Sequence, residues 1–278
     1  MTQPPALTDT VALRRNRTQR LNPTALFLHE EAAFELKERL NEVNRDFKNA
    51  ALVAPFSNIW AEAFPNHQIV PDSEVLDLTE ATHDLIIHAM SLHWANDPVG
   101  QLIQCRRALK PDGLLLAIFP GGRTLNELRT VFTAAEVQVT GGLSPRIAPM
   151  PEIRSVGSLL QRAGLALPVA DSVQINTSYP DLHGLMADLR GMGEANALSA
   201  RPKTMTRRAL FTEADRLYRD QFSDSDGRLK VTFELICLTG WAPDASQPQP
   251  LRPGSATSRL ADALGTRESP AGEKVRPG

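Results

Sequence analysis

Cysteine is nearly absent: Cys105 and Cys237 are the two in 278 residues, too few for a disulfide framework and not spaced as a Cys-x-x-Cys metal pair. That usage fits a reducing cytoplasm. An excess of one charge is also missing, since 30 lysines and arginines against 32 aspartates and glutamates give a net charge of −2. The strong positive field of a dedicated nucleic-acid binder is therefore excluded, although local basic patches are not. No apolar run approaches the roughly 18 residues of a membrane helix, and the start, MTQPPALTDTV, lacks the apolar segment of a signal peptide. A soluble cytoplasmic protein with no integral membrane segment and no nucleic-acid partner is the expectation.

What is present suffices for one sizeable core, because 42% of the residues are hydrophobic and α/β chains of this length often fold as a single unit. The most ordered stretch runs from His83 to Arg129. HDLIIHAM is an apolar run of strand length, after which Val99, Leu102, Ile103, Arg106 and Leu109 fall at helical spacing. LKPDG is expected to stop that helix: Lys110 suits the negative end of the helix dipole, Pro111 cannot continue it, and Asp-Gly turns the chain into LLLAIFP. This second run is apolar on both faces, as a buried parallel strand requires. Before it, Ala25, Leu28, Ala32, Leu36 and Leu40 trace an apolar helical stripe behind a cluster of Arg14, Arg15, Arg17 and Arg20, which reads as a solvated basic face or a docking arm.

The LKPDG turn between two such strands resembles that of class I S-adenosylmethionine-dependent methyltransferases. SLHWANDP and FPGGRTLNELR are similar to the methyltransferase-like assembly factors of respiratory complex I, themselves similar to malonyl-carrier-protein O-methyltransferases of biotin synthesis. LSPRIAPMPEIRSVGSLLQRAGL from Leu143, YPDLHGLMADLRGMGEANAL from Tyr179 and VTFELICLTGWAP from Val231 extend the likeness to most of residues 10–265. The resemblance implies an α/β, Rossmann-like class I methyltransferase fold: a seven-stranded, mostly parallel sheet with an antiparallel last strand and a helical lid insertion. HDLIIHAM and LLLAIFP would be its fourth and fifth strands, with the sixth near Val169–Thr177 and the seventh near Lys230–Trp241. The expected organisation is a basic arm and helix over 1–48, a methyltransferase-like domain over 49–242 with the insertion at about 180–228, and a flexible tail over 243–278 in which SRLADAL is a candidate short docking helix.

The first strand, placed at Ala50–Ala54, departs from that family. Such folds follow it with a glycine-rich turn, because a missing Cβ lets the backbone approach the cofactor. Here no glycine occurs between Ala50 and Phe64, and Pro55 and Phe56 stand in the turn. Two readings stay open. Ser57 and Asn58 can cap the next helix in a variant loop that still binds cofactor, or S-adenosylmethionine binding has been weakened or lost. By family position, the cofactor-binding candidates are Ala54, Phe56 and Ser57 at this turn, Asp72 as the ribose-binding acid, and His88, Ala89, Met90 and Leu92 at the end of the fourth strand. Glu74 and Asp77, the latter near the end of a third strand, are acidic neighbours.

His93, in SLHWAND, and Arg123, after the fifth strand, are the catalytic candidates. Thr124 and Glu127 read instead as a capping box for the next helix. His83, His88 and His93 recur every five residues, a spacing that alternates strand faces, and no metal is expected. Arg146 lies in a Gly- and Pro-rich loop near the cleft, and Gly191 to Asn196 form a turn that marks the branch. The resemblance implies a protein substrate, a respiratory-complex subunit whose arginine is modified by hydroxylation. The alternatives are an active O-methyltransferase on a carrier-protein-bound acid and a catalytically silent assembly scaffold.

Overall fold

In the computed structural model, which describes residues 6–248 and 260–266, the chain enters through two helices, Thr10–Gln19 (α1) and Phe27–Val43 (α2). The Asp9 carboxylate accepts the Ala12 amide and caps α1. Beyond them come Ala50–Ala54 (β1), Ser57–Ala63 (α3), Gln68–Pro71 (β2), His83–Ala89 (β3), Pro98–Ala108 (α4) and Leu109–Pro120 (β4). Asn126–Thr140 (α5), Ile153–Arg162 (α6), Ala166–Tyr179 (β5), Leu182–Gly191 (α7), Arg208–Phe222 (α8) and Leu229–Trp241 (β6) complete the unit Met1–Asp244. Of the second unit, Ala245–Gly278, the described helix is Leu260–Leu264 (α9). Most of the expected flexible tail lies outside the described residues.

The sheet order is β2-β1-β3-β4-β6-β5, parallel from β2 to β4, with β6 inserted antiparallel between β4 and β5. Strand residues alternate between its faces. Leu52, Leu85, Ile87, Leu116, Ile118 and Phe233 pack with α2, α5, α7 and α8, whereas Ala51, Val53, Ile86, Leu115, Phe119 and Ile236 pack with α4 and α6. Burial on both sides explains why HDLIIHAM and LLLAIFP read as unbroken apolar runs. No described helix is long and apolar enough to cross a membrane.

Six strands are formed among the described residues where seven were expected. The missing one is the third, around Asp77. Backbone groups there are taken by side chains of α4 rather than by a neighbouring strand: Leu76 N donates to Gln104 Oε1, Gln104 Nε2 to Glu74 O, and Gln101 Nε2 to Ser73 O. Satisfied in this way, the segment has no need of a ladder. LKPDG also differs from expectation, since α4 ends at Ala108 and the motif itself lies in β4. Asp112 adopts a left-handed φ of 58°, and the β3–β4 register shifts between His83 and Leu85.

The capping box is a further correction. Leu125, at φ 57°, precedes α5, and its amide donates to Thr232 O. Thr124 Oγ1 and the Glu234 backbone exchange hydrogen bonds, while Glu127 accepts from Thr232 N and Oγ1. These side chains therefore clip the start of α5 to β6, because the adjacent strand offers partners that a solvent-exposed helix end lacks.

Candidate functional site

Residues 192–207 join α7 to α8 within the insertion at about 180–228 expected to act as a lid, and the N-terminal segment holds them in place. Asp9 N donates to Ala197 O, Ser199 N to Leu7 O, and Asn16 Nδ2 to Ala195 O, while Arg201 pairs with Asp9. At Gly193 the chain passes so close to α1 that an added Cβ would lie 2.8 Å from Arg17 Cγ, and φ is +77°. Both the contact and the left-handed conformation call for glycine. The next residue, Glu194, is thereby set against α1 and the loop after β3.

Around Glu194 the structure gathers a buried polar cluster. Its Oε2 accepts from Trp94 Nε1 at 2.6 Å and from His93 Nε2 at 3.0 Å. Its Oε1 lies 3.9 Å from Arg17 Nη2 without a hydrogen bond, and Arg17 Nη1 donates to Asp72. Burial opposes ionisation of Glu194, but His93 and Arg17 together with the Trp94 bond outweigh it and hold the carboxyl at about 2. Close by, His29 packs edge-on against Phe56 and Trp60, and neither of its ring nitrogens has a hydrogen-bond partner. Burial, aided by the charges of Arg17 and His93 and opposed by Glu194, pushes His29 down to about 4, so its ring is neutral.

This cluster stands between two cavities. One, of about 470 Å³, lies beyond the ends of β1, β2 and β3, where ligands of open α/β sheets bind; Arg17, Pro55, Asp72, Ser73, Ser91 and Trp94 are among its lining residues. The other, of about 680 Å³, lies under the lid. Its walls include Leu128, Phe132, Met186, Phe211 and Phe233, and Glu194 is the one acidic residue that lines it. Trp94 lines both.

Of the cofactor candidates, Asp72 alone lines the first cavity. Ala54, Phe56, His88, Ala89, Met90 and Leu92 are buried behind its surface, and Ser57 begins α3. Phe56, 7% exposed, belongs to the core cluster with Leu28, Trp60 and Met192. His88 is held by Gln101 Oε1 at 2.6 Å from Nε2; burial lowers its pKa although that bond raises it, which makes it a satisfied core histidine.

The two catalytic candidates do not meet. His93 lines neither cavity and reaches the second through Glu194, whereas Arg123 is exposed, donates to Gln174 Oε1 on β5 and lies outside both. Among the described residues no cluster of metal-ligating side chains occurs. The arginine cluster is not uniformly solvated: Arg17 is 7% exposed, Arg14 lines the first cavity, and Arg15 and Arg20 line the second. Arg146 also lines the second, where it pairs with Glu136. Glu194 itself was legible only as part of a Gly-Met-Gly-Glu-Ala-Asn turn. Its signal was a lone acid between glycine and alanine beside an apolar helix.

The methyltransferase domain family matches residues 35–117. The chain is 36% identical over 198 residues to Arginine-hydroxylase NDUFAF5, mitochondrial, of Danio rerio, covering 71% of this chain and 61% of that one. The Homo sapiens protein of the same name is 38% identical over 193 residues, 69% of this chain and 56% of its own. A malonyl-acyl-carrier-protein O-methyltransferase of Xylella fastidiosa (strain M23) is 34% identical over 180 residues, 65% of this chain and 58% of that enzyme. The chain thus spans at most 61% of the length of these relatives. Among solved structures, the YcgJ protein from Bacillus subtilis shares the fold with a TM-score of 0.50 at 12% identity, covering 78% of this chain and 100% of that one.

Proposed function

From the match of residues 35–117 to the methyltransferase domain family and the similarity over 71% of the chain to an arginine-hydroxylase, we propose that it works on a protein partner, taking an arginine of that partner into the lid cavity. Glu194 receives the guanidinium there. The observation that carries this reading is a buried, ionised carboxylate in the lining of the lid cavity, beside its apolar side chains, with one oxygen that has no hydrogen bond and has Arg17 Nη2 3.9 Å away. Apolar walls suit the methylene stem of arginine, and a carboxylate suits its planar fork of donors. A guest acid at the same depth, as a carrier-bound acyl acid would be, is repelled by Glu194.

S-adenosylmethionine is the cofactor implied by the fold, and the residues present do not fit its methionine end. The turn after β1 carries Pro55 and Phe56 in place of glycines, with the Phe56 ring packed on His29 in the core and Pro55 lining the cavity. The Asp72 carboxylate, expected to meet the ribose, is engaged by Arg17. Cofactor binding is accordingly taken as weakened or lost, and no step is routed through it. For this chain the proposal covers recognition and positioning of the arginine, with a respiratory-complex subunit as the partner that the resemblance implies. The division into an arm over 1–48, a domain over 49–242 and a tail over 243–278 is part of the proposal. A cytoplasmic site of action is part of the proposal and accords with two free, buried cysteines.

The test is a calorimetric titration of the full chain with a short blocked peptide carrying a central arginine, against the same peptide with citrulline. Saturable binding of the arginine peptide, at least tenfold tighter than citrulline, is expected for a desolvated charge pair. Equal affinities would remove the basis for the reading.

A further inference from the structure

Five arginines line the lid cavity, Arg15, Arg20, Arg146, Arg190 and Arg201, against the single acid Glu194. This excess is local, because the chain as a whole carries −2. Two of the five are already neutralised: Arg146 by Glu136, with Thr206 as a second partner, and Arg201 by Asp9. The remaining three are exposed, and among the described residues their side chains have neither an ion pair nor a hydrogen bond. Arg15 lies on α1, Arg20 is its C-terminal cap residue, and Arg190 lies in the last turn of α7. Being both exposed and part of the lining, they stand where the cavity meets solvent.

Three unpaired cations at the mouth oppose the entry of a bare arginine, although the Glu194 carboxylate inside favours it. Coulomb repulsion between like charges at such a rim acts over about a Debye length, roughly 10 Å at moderate salt. The conflict disappears when the guest arginine is flanked by acids: the guanidinium passes to Glu194 while the neighbouring carboxylates pair with the rim. Complementary rim charge also selects partners and speeds encounter. Resting on the reading of Glu194 given above, we infer that the partner segment bears acidic residues on both sides of the arginine, and that Arg15, Arg20 and Arg190 form the collar that recognises them.

The experiment uses the full chain and three blocked peptides: arginine between two pairs of aspartates, arginine between two pairs of serines, and citrulline between two pairs of aspartates. Each is titrated into the natural protein and into the triple variant Arg15→Ser, Arg20→Ser, Arg190→Ser, whose circular dichroism should match because the three side chains are exposed and unpaired. Expected is roughly tenfold tighter binding of the aspartate-flanked than of the serine-flanked arginine at low salt, the sum of a few exposed charge pairs. The preference should shrink as salt is raised and vanish in the triple variant. Equal or tighter binding of the serine-flanked peptide, or a preference that survives in the triple variant, overturns the collar while leaving the Glu194 reading intact. A citrulline peptide that binds as well as its arginine counterpart overturns the Glu194 reading, and failure of all three to bind overturns both.

Discussion

Trp94 Nε1 donates to Glu194 Oε2 at 2.6 Å, joining the loop after β3 to the turn after α7 across 100 residues of sequence. With His93 on the same oxygen and Arg17 beside the other, this bond fixes the only acidic side chain in the lid cavity lining between the ends of the parallel strands and the lid. Sheet, N-terminal helix and lid meet at one carboxylate, so the site depends on all three.

Replacement of Trp94 by phenylalanine keeps an aromatic ring, though a smaller one than the buried indole, and deletes the donor. A buried carboxylate that loses one charge-assisted bond is expected to cost about 1.5–3 kcal/mol. Urea unfolding at neutral pH measures it; a loss below about 0.5 kcal/mol would mean that the bond is not formed in solution.

Glu194 makes stability depend on pH in a defined window. Its folded pKa, about 2, lies below its ordinary 4.5. The contribution is therefore fully present above 4.5 and is lost as pH falls through the folded value, in total roughly 3 kcal/mol. Glu194→Gln should be less stable than the natural chain at pH 7, and the gap should close between pH 4.5 and 2. A gap unchanged down to pH 2 would contradict the assignment.

His29 acts in a higher window. Its folded pKa, about 4, is depressed from 6.5, so the unfolded chain takes up a proton there before the folded one does. Stability is complete above 6.5 and declines by roughly 3 kcal/mol as pH falls through the folded value. His29→Leu, which replaces an imidazole lacking hydrogen bonds with an apolar group, should reduce the decline between pH 6.5 and 4 in thermal unfolding and leave the part that His67 and His88, also depressed by burial, contribute. Persistence of the full decline in that variant would assign it elsewhere.

Phe56 is the residue that stands in place of the missing glycines. Phe56→Gly opens space beside His29 and is expected to cost about 3–5 kcal/mol through loss of core contacts. Titration with S-adenosylmethionine should show no binding to the natural chain; a gain in the variant would identify Phe56 as the block. Micromolar binding by the natural chain, about −8 kcal/mol at 1 μM, would restore the cofactor to the account.

The β3-α4-β4 unit was legible because two short unbroken apolar runs of strand length flank a segment of helical period and are set off by turn residues. Strand three was not, since side-chain amides from Gln101 and Gln104 replace the ladder, a substitution invisible in local propensity. Thr124 and Glu127 fit a helix-capping pattern and were drawn to β6 by partners about 100 positions away. Asp72 could be placed by topology, but its occupation by Arg17, 55 residues earlier, could not. Glu194 was hidden for the same reason: a glutamate in a glycine turn acquires meaning only when Gly193 brings it against α1.

The most direct measurement is a double-mutant cycle between Glu194 and the guest arginine. Affinities of the arginine and citrulline peptides for the natural chain and for Glu194→Gln give the coupling free energy, freed from effects of each change alone. A direct guanidinium–carboxylate contact predicts coupling of about 2 kcal/mol or more, near thirtyfold in affinity. Coupling within about 0.3 kcal/mol of zero would show that the two groups do not meet.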